Sequence, residues 1–405
     1  MSQDTTQHDN DHENDGFKFY FASWYRKSPY FERTVEAGCT SWDLYNHMLI
    51  PTLYDDDVKE YWHLLEHVTL WDVAVERQVE ITGPDAARFV QLLTPRDLSQ
   101  TVPGQCKYVL LCAPDGGIVN DPILLKLADD HFWLSLADSD ALLFALGVQA
   151  FAGLDVQIRE PDVSPLQVQG PKSKPLVRKL FGDEVADLRY YRCVETEIDG
   201  IPVVVSRTGW TGEVGYEVYL RDAARGIDLW DAIMRAGEEF EIRAIAPSDQ
   251  RRMEAGIFNY GNDMDVTNNP FEVTGLERLV ELENDHEVVA RAALERIAAE
   301  GVKRKLVGVE IEGQPLGMWL EDFWPVSIDG QEVGQEIGRE VGRKIGKLTS
   351  ASYSPRLEIN MGYAWVPIEA AEQGTRLTVT SPTGPLGAEV GTLPFWDPKK
   401  DVPKG

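Results

Sequence analysis

Hydrophobic and polar positions along this chain follow two periods, and the places where one gives way to the other mark its elements. Over residues 57–68 apolar side chains recur at Val58, Tyr61, Leu64, Leu65 and Val68, the spacing of an amphipathic helix. Residues 71–81 alternate with period two and predict a strand. Gly83-Pro84-Asp85-Ala86 opens a second helix, with Asp85 placed to favour its N-terminus. Residues 107–113 and 118–127 predict a strand pair joined at the turn Pro114-Asp115-Gly116-Gly117. A strand follows at 132–136, then a helix over 139–150 capped by Ser139 or Asp138, then a strand at 163–169. Two apolar runs, 201–205 and 218–220, flank a glycine-rich segment. Residues 223–240, 247–255 and 286–299 read as helices, and a β-rich tail runs from residue 306 to Pro394.

Size and charge narrow the classes open to such a chain. At 405 residues it exceeds what one core holds, so two or three domains are expected, with a boundary in the charge-rich stretch 300–305. No window approaches 18 apolar residues, which argues against a membrane span. Residues 1–16 are rich in Asp, Asn, Gln and His and lack the features of a signal peptide. A disordered solvated tail and a cytoplasmic location are expected, with metal binding by His8 and His12 as the alternative for the tail. Cys39, Cys106, Cys112 and Cys193 show no C-x-x-C spacing and read as reduced structural thiols. With 67 acidic against 39 basic side chains the net charge is −28, which argues against nucleic acid or an anionic membrane as partner and suits solubility in high salt. Residues 330–346 repeat a Gly-x-[Glu/Lys]-[Val/Ile] unit four times; glycine at that frequency makes a poor helix, so an insertion in a loop or strand edge is expected.

Few residues carry candidate chemistry. Arg207-Thr208-Gly209-Trp210-Thr211-Gly212-Glu213-Val214-Gly215-Tyr216-Glu217 sets three glycines, two aromatic rings and two carboxylates between two strands. Its glycines bring the backbone close to whatever lies beside it, or permit positive φ; the plainer alternative is an ordinary hairpin turn. Asp121 follows a Gly-Gly turn at the start of the apolar run Pro122-Ile123-Leu124-Leu125, a place for a half-buried functional acid or for a turn-capping residue. No metal-ligand set stands out elsewhere.

Together these segments resemble the glycine-cleavage T-protein family. Residues 207–217 are similar to its Arg-Thr-Gly-[Tyr/Trp]-x-Gly-x-x-Gly-[Phe/Tyr]-Glu signature, and Gly116-Gly117-Ile118-Val119-Asn120-Asp121 to its Gly-Gly-[Ile/Val]-x-[Asp/Asn]-Asp segment. Tyr108 matches the family's aromatic residue thirteen positions before the second Asp. Arg252-Met253-Glu254-Ala255-Gly256, Asn269-Pro270-Phe271-Glu272 and Gly346-Lys347-Leu348-Thr349-Ser350 continue the likeness in order, from about residue 40 to about residue 396.

The resemblance implies an α+β, multi-domain cloverleaf fold that binds tetrahydrofolate within residues 17–305, followed by a C-terminal β-barrel over 306–398. It implies a catalytic Asp121, and Tyr108, Asp121, Ile123, Trp210 and Glu217 at the folate, with Glu217 accepting N–H bonds from the pterin edge. Tyr108, Trp210 and Tyr216 are the aromatic faces expected to hold a cationic donor. A folate with a polyglutamate tail is itself anionic, so local Lys or Arg must offset the global charge at its entrance. Where the family has Arg-Asp-x-Leu-Arg-Leu-Glu-Ala-Gly, this chain begins with Ser248, which argues against aminomethyl transfer from a lipoyl-bearing carrier. Segments such as Tyr45-Asn46-His47-Met48, Leu136-Ala137-Asp138-Ser139-Asp140 and Tyr260-Gly261-Asn262-Asp263 resemble a branch that demethylates dimethylsulfoniopropionate onto tetrahydrofolate. The expected partners are folate and a small methyl donor, with the oligomeric state left open. Alternatives are an enzyme acting on N-methyl or O-methyl donors, and a non-catalytic folate-binding factor of iron–sulfur assembly, whose Cys-containing box residues 207–217 lack.

Overall fold

The computed structural model describes residues 22–317, 320–328, 334–336, 339–341 and 344–405. The tail with His8 and His12 lies outside them, as does much of the four-residue repeat, of which Gly334–Glu336 and Arg339–Val341 pair antiparallel.

Three β assemblies organise the chain, an α+β architecture with a closed C-terminal barrel. A six-stranded sheet runs in the order Cys193–Ile198, Ile201–Ser206, Gly215–Leu220, Ser164–Gln169, Thr69–Asp72, Arg243–Ala244. Its central strands are rich in Val, Tyr and Leu and are buried on both faces. One face packs on the helices Ser173–Phe181 and Gly226–Gly237 through Val203, Tyr216, Val218, Leu229 and Ile233. The other meets a five-stranded sheet across Cys106, Leu125, Trp133, Cys193, Val204 and Tyr219. That second sheet runs Gln157–Arg159, Gln78–Thr82, His131–Ser135, Ile123–Ala128, Gln105–Tyr108, and the helices Ala86–Leu93 and Ala141–Ala152 cover its outer face. Arg304–Ile311, Ile359–Pro367, Lys344–Ser354, Trp324–Ile328, Arg376–Ser381 and Gly384–Val390 close the barrel. Leu110, Cys112 and Ile118 share an apolar cluster with Met253, Tyr363 and Trp365, which ties the hairpin bearing Asp121 to the barrel wall.

Four expectations about elements are corrected. The strand over 71–81 is two strands in different sheets, Thr69–Asp72 and Gln78–Thr82, with a turn between them closed by Glu76 N–H to Val73 O at 2.9 Å. Val73, Ala74 and Val75 are buried in that turn, so the apolar pattern passes through the break unmarked. The hairpin over 107–127 also splits: Gln105–Tyr108 pairs with Ile123–Ala128, and Leu111–Cys112 with Ile118–Asn120. Pro122 has no N–H to continue the ladder, so the chain bends there. The helix expected over 139–150 starts at Ala141 and is capped by neither candidate. Asp138 accepts from Asn46 N–H (2.9 Å) and Ser139 Oγ from Asn120 Nδ2 (2.8 Å), so both side chains are already engaged. The helix expected over 286–299 begins only at Arg291. All four cysteines are buried free thiols, and among the described residues no helix is long and apolar enough to cross a membrane.

Candidate active site

The break in the hairpin presents Asp121. Its Oδ2 accepts from the Tyr108 hydroxyl at 2.9 Å, while Oδ1 is buried without a hydrogen-bond partner. Loss of solvation lifts its carboxyl from 3.8 to about 7. Burial, and then the charge of Asp121, likewise raise the hydroxyls of Tyr108 and of two residues the motif does not contain, Tyr45 and Tyr260. Three tyrosines near a half-buried carboxylate make an electron-rich, negatively charged setting, chemistry suited to a small cation. Asn46 and Asn120 build it: the first donates to Val75 O (2.9 Å) and Ala137 O (3.0 Å), the second to Ala137 O (2.9 Å). Tyr260 is held from the far side by its hydroxyl, which donates to Ile118 O at 2.7 Å. Segments 45–48, 118–121, 136–140 and 260–263, scattered in sequence, thereby converge.

Within the glycine-rich segment, the object approached so closely by the backbone is the protein itself. A Cβ on Gly209 or Gly215 would lie 2.4 Å and 2.2 Å from Gln169, whose amide donates to Thr208 O and Tyr216 O and accepts from Thr211 Oγ1 at 2.7 Å. The loop is wrapped around one buried amide. Gly212 has φ +66°, a conformation that side chains strain. Glu213 faces Arg251 at 2.9 Å and Arg356 at 3.3 Å, and Arg207 donates to Gly215 O at 3.1 Å. These residues hold the loop.

Tyr216 leaves the candidate set. Alternation along Gly215–Leu220 sends it to the face opposite Glu217, fully buried in the helix-covered core. Its hydroxyl donates to Ala186 O at 2.5 Å and the Arg207 guanidinium covers its ring at 5.1 Å. Trp210 is half-buried against Leu64, Trp71 and Val73, and the cation against its ring is the protein's own Arg252, at 5.6 Å. Ile123 stands opposite Tyr108 in the ladder and packs beside Trp133 and Tyr219.

Glu217 sits at the centre of the six-stranded sheet, opposite Gln167 on one neighbour and Ser206 on the other. It accepts from Thr208 Oγ1 (2.5 Å), Tyr219 OH (2.6 Å) and Gln167 Nε2 (2.9 Å). The same Gln167 amide reaches Glu76 at 3.2 Å, an acid the motif did not single out. Burial raises both carboxyls, and Glu217 raises Glu76 further. Gln167 Oε1 is buried and unpartnered, an acceptor with no donor among the described residues. The charges of Asp121 and Glu76 both add to the effect of burial on the Tyr45 hydroxyl, and that of Glu217 to its effect on Tyr191. Isolated polar residues in apolar strands were the only sequence signal for Gln167, and Tyr45 and Tyr260 lay inside the branch-like strings without a role.

At the departure from the family pattern, Ser248 caps the helix Asp249–Glu254 by accepting from Arg251 N–H at 3.3 Å. Arg252, one residue on, is buried between Asp249 (2.5 Å) and Asp263 (2.6 Å), with Tyr363 on the ring side away from Trp210.

Comparison with known proteins shows the family and the fold. Residues 8–284 match the GCVT N-terminal domain, and residues 304–397 the glycine cleavage T-protein C-terminal barrel domain. The chain is 40% identical over 373 residues to dimethylsulfoniopropionate demethylase DmdA of Ruegeria pomeroyi, covering 92% of this chain and 97% of that protein. It is 31% identical over 382 residues to an aminomethyltransferase of Rubrobacter xylanophilus, covering 94% and 96%. The crystal structure of glycine cleavage system aminomethyltransferase T from Bartonella henselae superposes with a TM-score of 0.79 at 22% identity, over 92% of this chain and 98% of that one, and so shares the fold.

Proposed function

The chain belongs to the glycine cleavage T-protein family, and from that premise we propose that it moves a methyl group from dimethylsulfoniopropionate to tetrahydrofolate, releasing methylmercaptopropionate. The observation that carries the choice of donor is the buried, unpartnered Oδ1 of Asp121, with the Tyr108 hydroxyl on its other oxygen and Tyr45 and Tyr260 near enough to feel its charge, a setting that matches a methylated sulfonium in charge. Demethylase DmdA, 40% identical, supports the same donor.

Tetrahydrofolate fits the residues present, because Asp121 Oδ1 and Gln167 Oε1 are buried acceptors without a donor among the described residues, and Gln167 lies beside the carboxylate of Glu217. When bound, the folate supplies the neutral N5 amine that accepts the methyl group. Glu217 would accept from the aminopyrimidine edge through Oε1, which has Gln167 as its donor, while Thr208 and Tyr219 hold Oε2 in place. Asp121, fixed through Oδ2 by Tyr108, holds negative charge beside the reacting atoms while positive charge leaves the sulfur. The neutral N5 amine needs no base before it attacks, and a neutral thioether needs no acid to depart; the N5 proton leaves after the methyl group has transferred. The tyrosine walls therefore act by aligning donor and acceptor and by excluding water. Ser248 is engaged as a helix cap, and this chemistry requires no lipoylated carrier. The four free thiols fit a reducing cytoplasm.

Donor choice is expected to appear in the chemical step. Sulfonium and quaternary ammonium groups both suit tyrosine walls, but a tertiary amine leaves far less readily than a thioether. With tetrahydrofolate under anaerobic conditions, dimethylsulfoniopropionate should yield 5-methyltetrahydrofolate, and glycine betaine should act only as a weak competitor. Product from betaine, sarcosine or a methoxy-aromatic compound, with none from the sulfonium, would sink the assignment.

Glu217→Ala should weaken tetrahydrofolate binding about ten- to a hundredfold, the roughly 1.5–3 kcal/mol of a charge-assisted pair. Calorimetric titration of a folded variant checks it; unchanged affinity would take Glu217 out of the folate site.

A further inference from the structure

Three cations, the first bonded to Tyr108, stand within reach of one another's charge. Arg96 donates from Nη1 to the Tyr108 carbonyl at 2.5 Å, and its Nε is buried without a partner. Arg278 is exposed on the turn Glu277–Leu279, held by a bond to Gly275 O, and stands close enough for its charge to bear on Tyr108, Arg96 and Lys400. Lys400 is half-buried and lines a cavity with Tyr190, Arg251 and Trp396 behind the turn at residues 209–212. Tyr108 therefore joins the two, its hydroxyl on the acid and its carbonyl on the first of these cations.

Among the described residues none of the three makes an ion pair, and the acids that face them are Glu281 beside Arg96 and Asp397 beside Lys400. Lys107 adds to the cluster from the adjoining strand, where burial and then Arg96 pull its ammonium below the usual range. Burial, with Arg278 adding to it, does the same to Arg96 and Lys400. With 67 acidic against 39 basic side chains, this chain has ample acid to intersperse among its cations. Cations that repel one another create instead a local positive field, the reverse of the global one, and attract an anion to it.

We propose that Arg96, Arg278 and Lys400 form a carboxylate-binding site on the carbonyl side of Tyr108, the residue whose hydroxyl holds Asp121. It presupposes the methyl transfer proposed above, which offers two carboxylate sources: the acid end of the zwitterionic donor, and the glutamyl tail of the folate. A guanidinium presents a planar fork to either.

Arg278→Ala and Lys400→Ala, made in the full chain and shown by melting temperature to fold, separate the two sources. KM and kcat are measured for dimethylsulfoniopropionate, and Kd by calorimetry for tetrahydrofolate and its triglutamate. If the site holds the donor, KM rises about tenfold or more with kcat within about threefold, and both folate affinities hold. If it holds the tail, the triglutamate loses about tenfold or more, the monoglutamate less, and KM for the donor holds. In either case Arg278→Lys should recover part of the loss, which a merely structural role would not give. KM and Kd unchanged in both alanine variants, beside an active wild type, overturn the site. A wild type that neither binds folate nor turns over the sulfonium overturns the methyl-transfer reading, and this site with it.

Discussion

Asp121→Asn is expected to lower kcat about a hundredfold or more while the protein stays folded and still binds tetrahydrofolate, the scale of removing one preorganised charge from a reacting centre. Asparagine keeps the size of the side chain and a partner for the Tyr108 hydroxyl, so the loss reports charge. Burial lifts the Asp121 carboxyl to about 7, so the active carboxylate appears as pH rises through that value. Wild-type kcat should climb through pH 7, and the residual rate of the variant should be flat there. Stability runs the other way. A carboxyl whose folded value is raised from 3.8 to about 7 favours the native state fully below about 4, and that contribution is lost as pH rises to about 7. Melting temperatures should show Asp121→Asn gaining on wild type over that window. A kcat within about threefold of wild type would mean that less than roughly 1 kcal/mol depends on the charge, and Asp121 would be a turn residue only.

The second large effect concerns stability. Arg252→Met should destabilise the protein by about 3–5 kcal/mol, because it strands Asp249 and Asp263 as buried anions without their cation. Arg252 also donates to Ser350 Oγ at 2.9 Å on the strand Lys344–Ser354, and it lies against the rings of Trp210 and Tyr363. Its removal loosens the helix, the barrel and the glycine-rich loop together. Urea unfolding monitored by tryptophan fluorescence measures the loss. Adding Asp263→Asn to the methionine variant should restore part of it, since one of the two stranded charges is then gone. A loss below about 1 kcal/mol would show that the two acids protonate at little cost and that the pair is not what holds these elements together.

What the sequence made legible follows from how each signal arises. Asp121 and Glu217 stand out because turn glycines and strand periodicity are local, and the barrel because its short β runs extend unbroken from residue 306. The split at Asp121 and Pro122 was readable in principle, since a proline inside a strand run ends its ladder. Tyr216 was misplaced because a motif is a string, whereas a strand sends alternate residues to opposite faces. Only pairing of Ser164–Gln169 with Gly215–Leu220 puts Gln167 beside Glu217, and no single-strand pattern announces that register. Tyr45 and Tyr260 reach Asp121 from distant segments, through the amide bonds of Asn46 and through Ile118 O, and contacts of that separation leave no periodic trace. The glycines were seen, but their purpose was not, because Gln169 lies outside their motif by nearly forty residues.

One measurement bears most directly on methyl transfer by this pocket. Dimethylsulfoniopropionate carrying trideuterated S-methyl groups is mixed with enzyme and tetrahydrofolate under anaerobic conditions, and both products are followed by mass spectrometry. The expected result is an intact trideuteromethyl group on folate N5, formed in equal amount with methylmercaptopropionate and largely lost in Asp121→Asn. Methylmercaptopropionate without labelled folate, or labelled folate at the same rate in the variant, would contradict it.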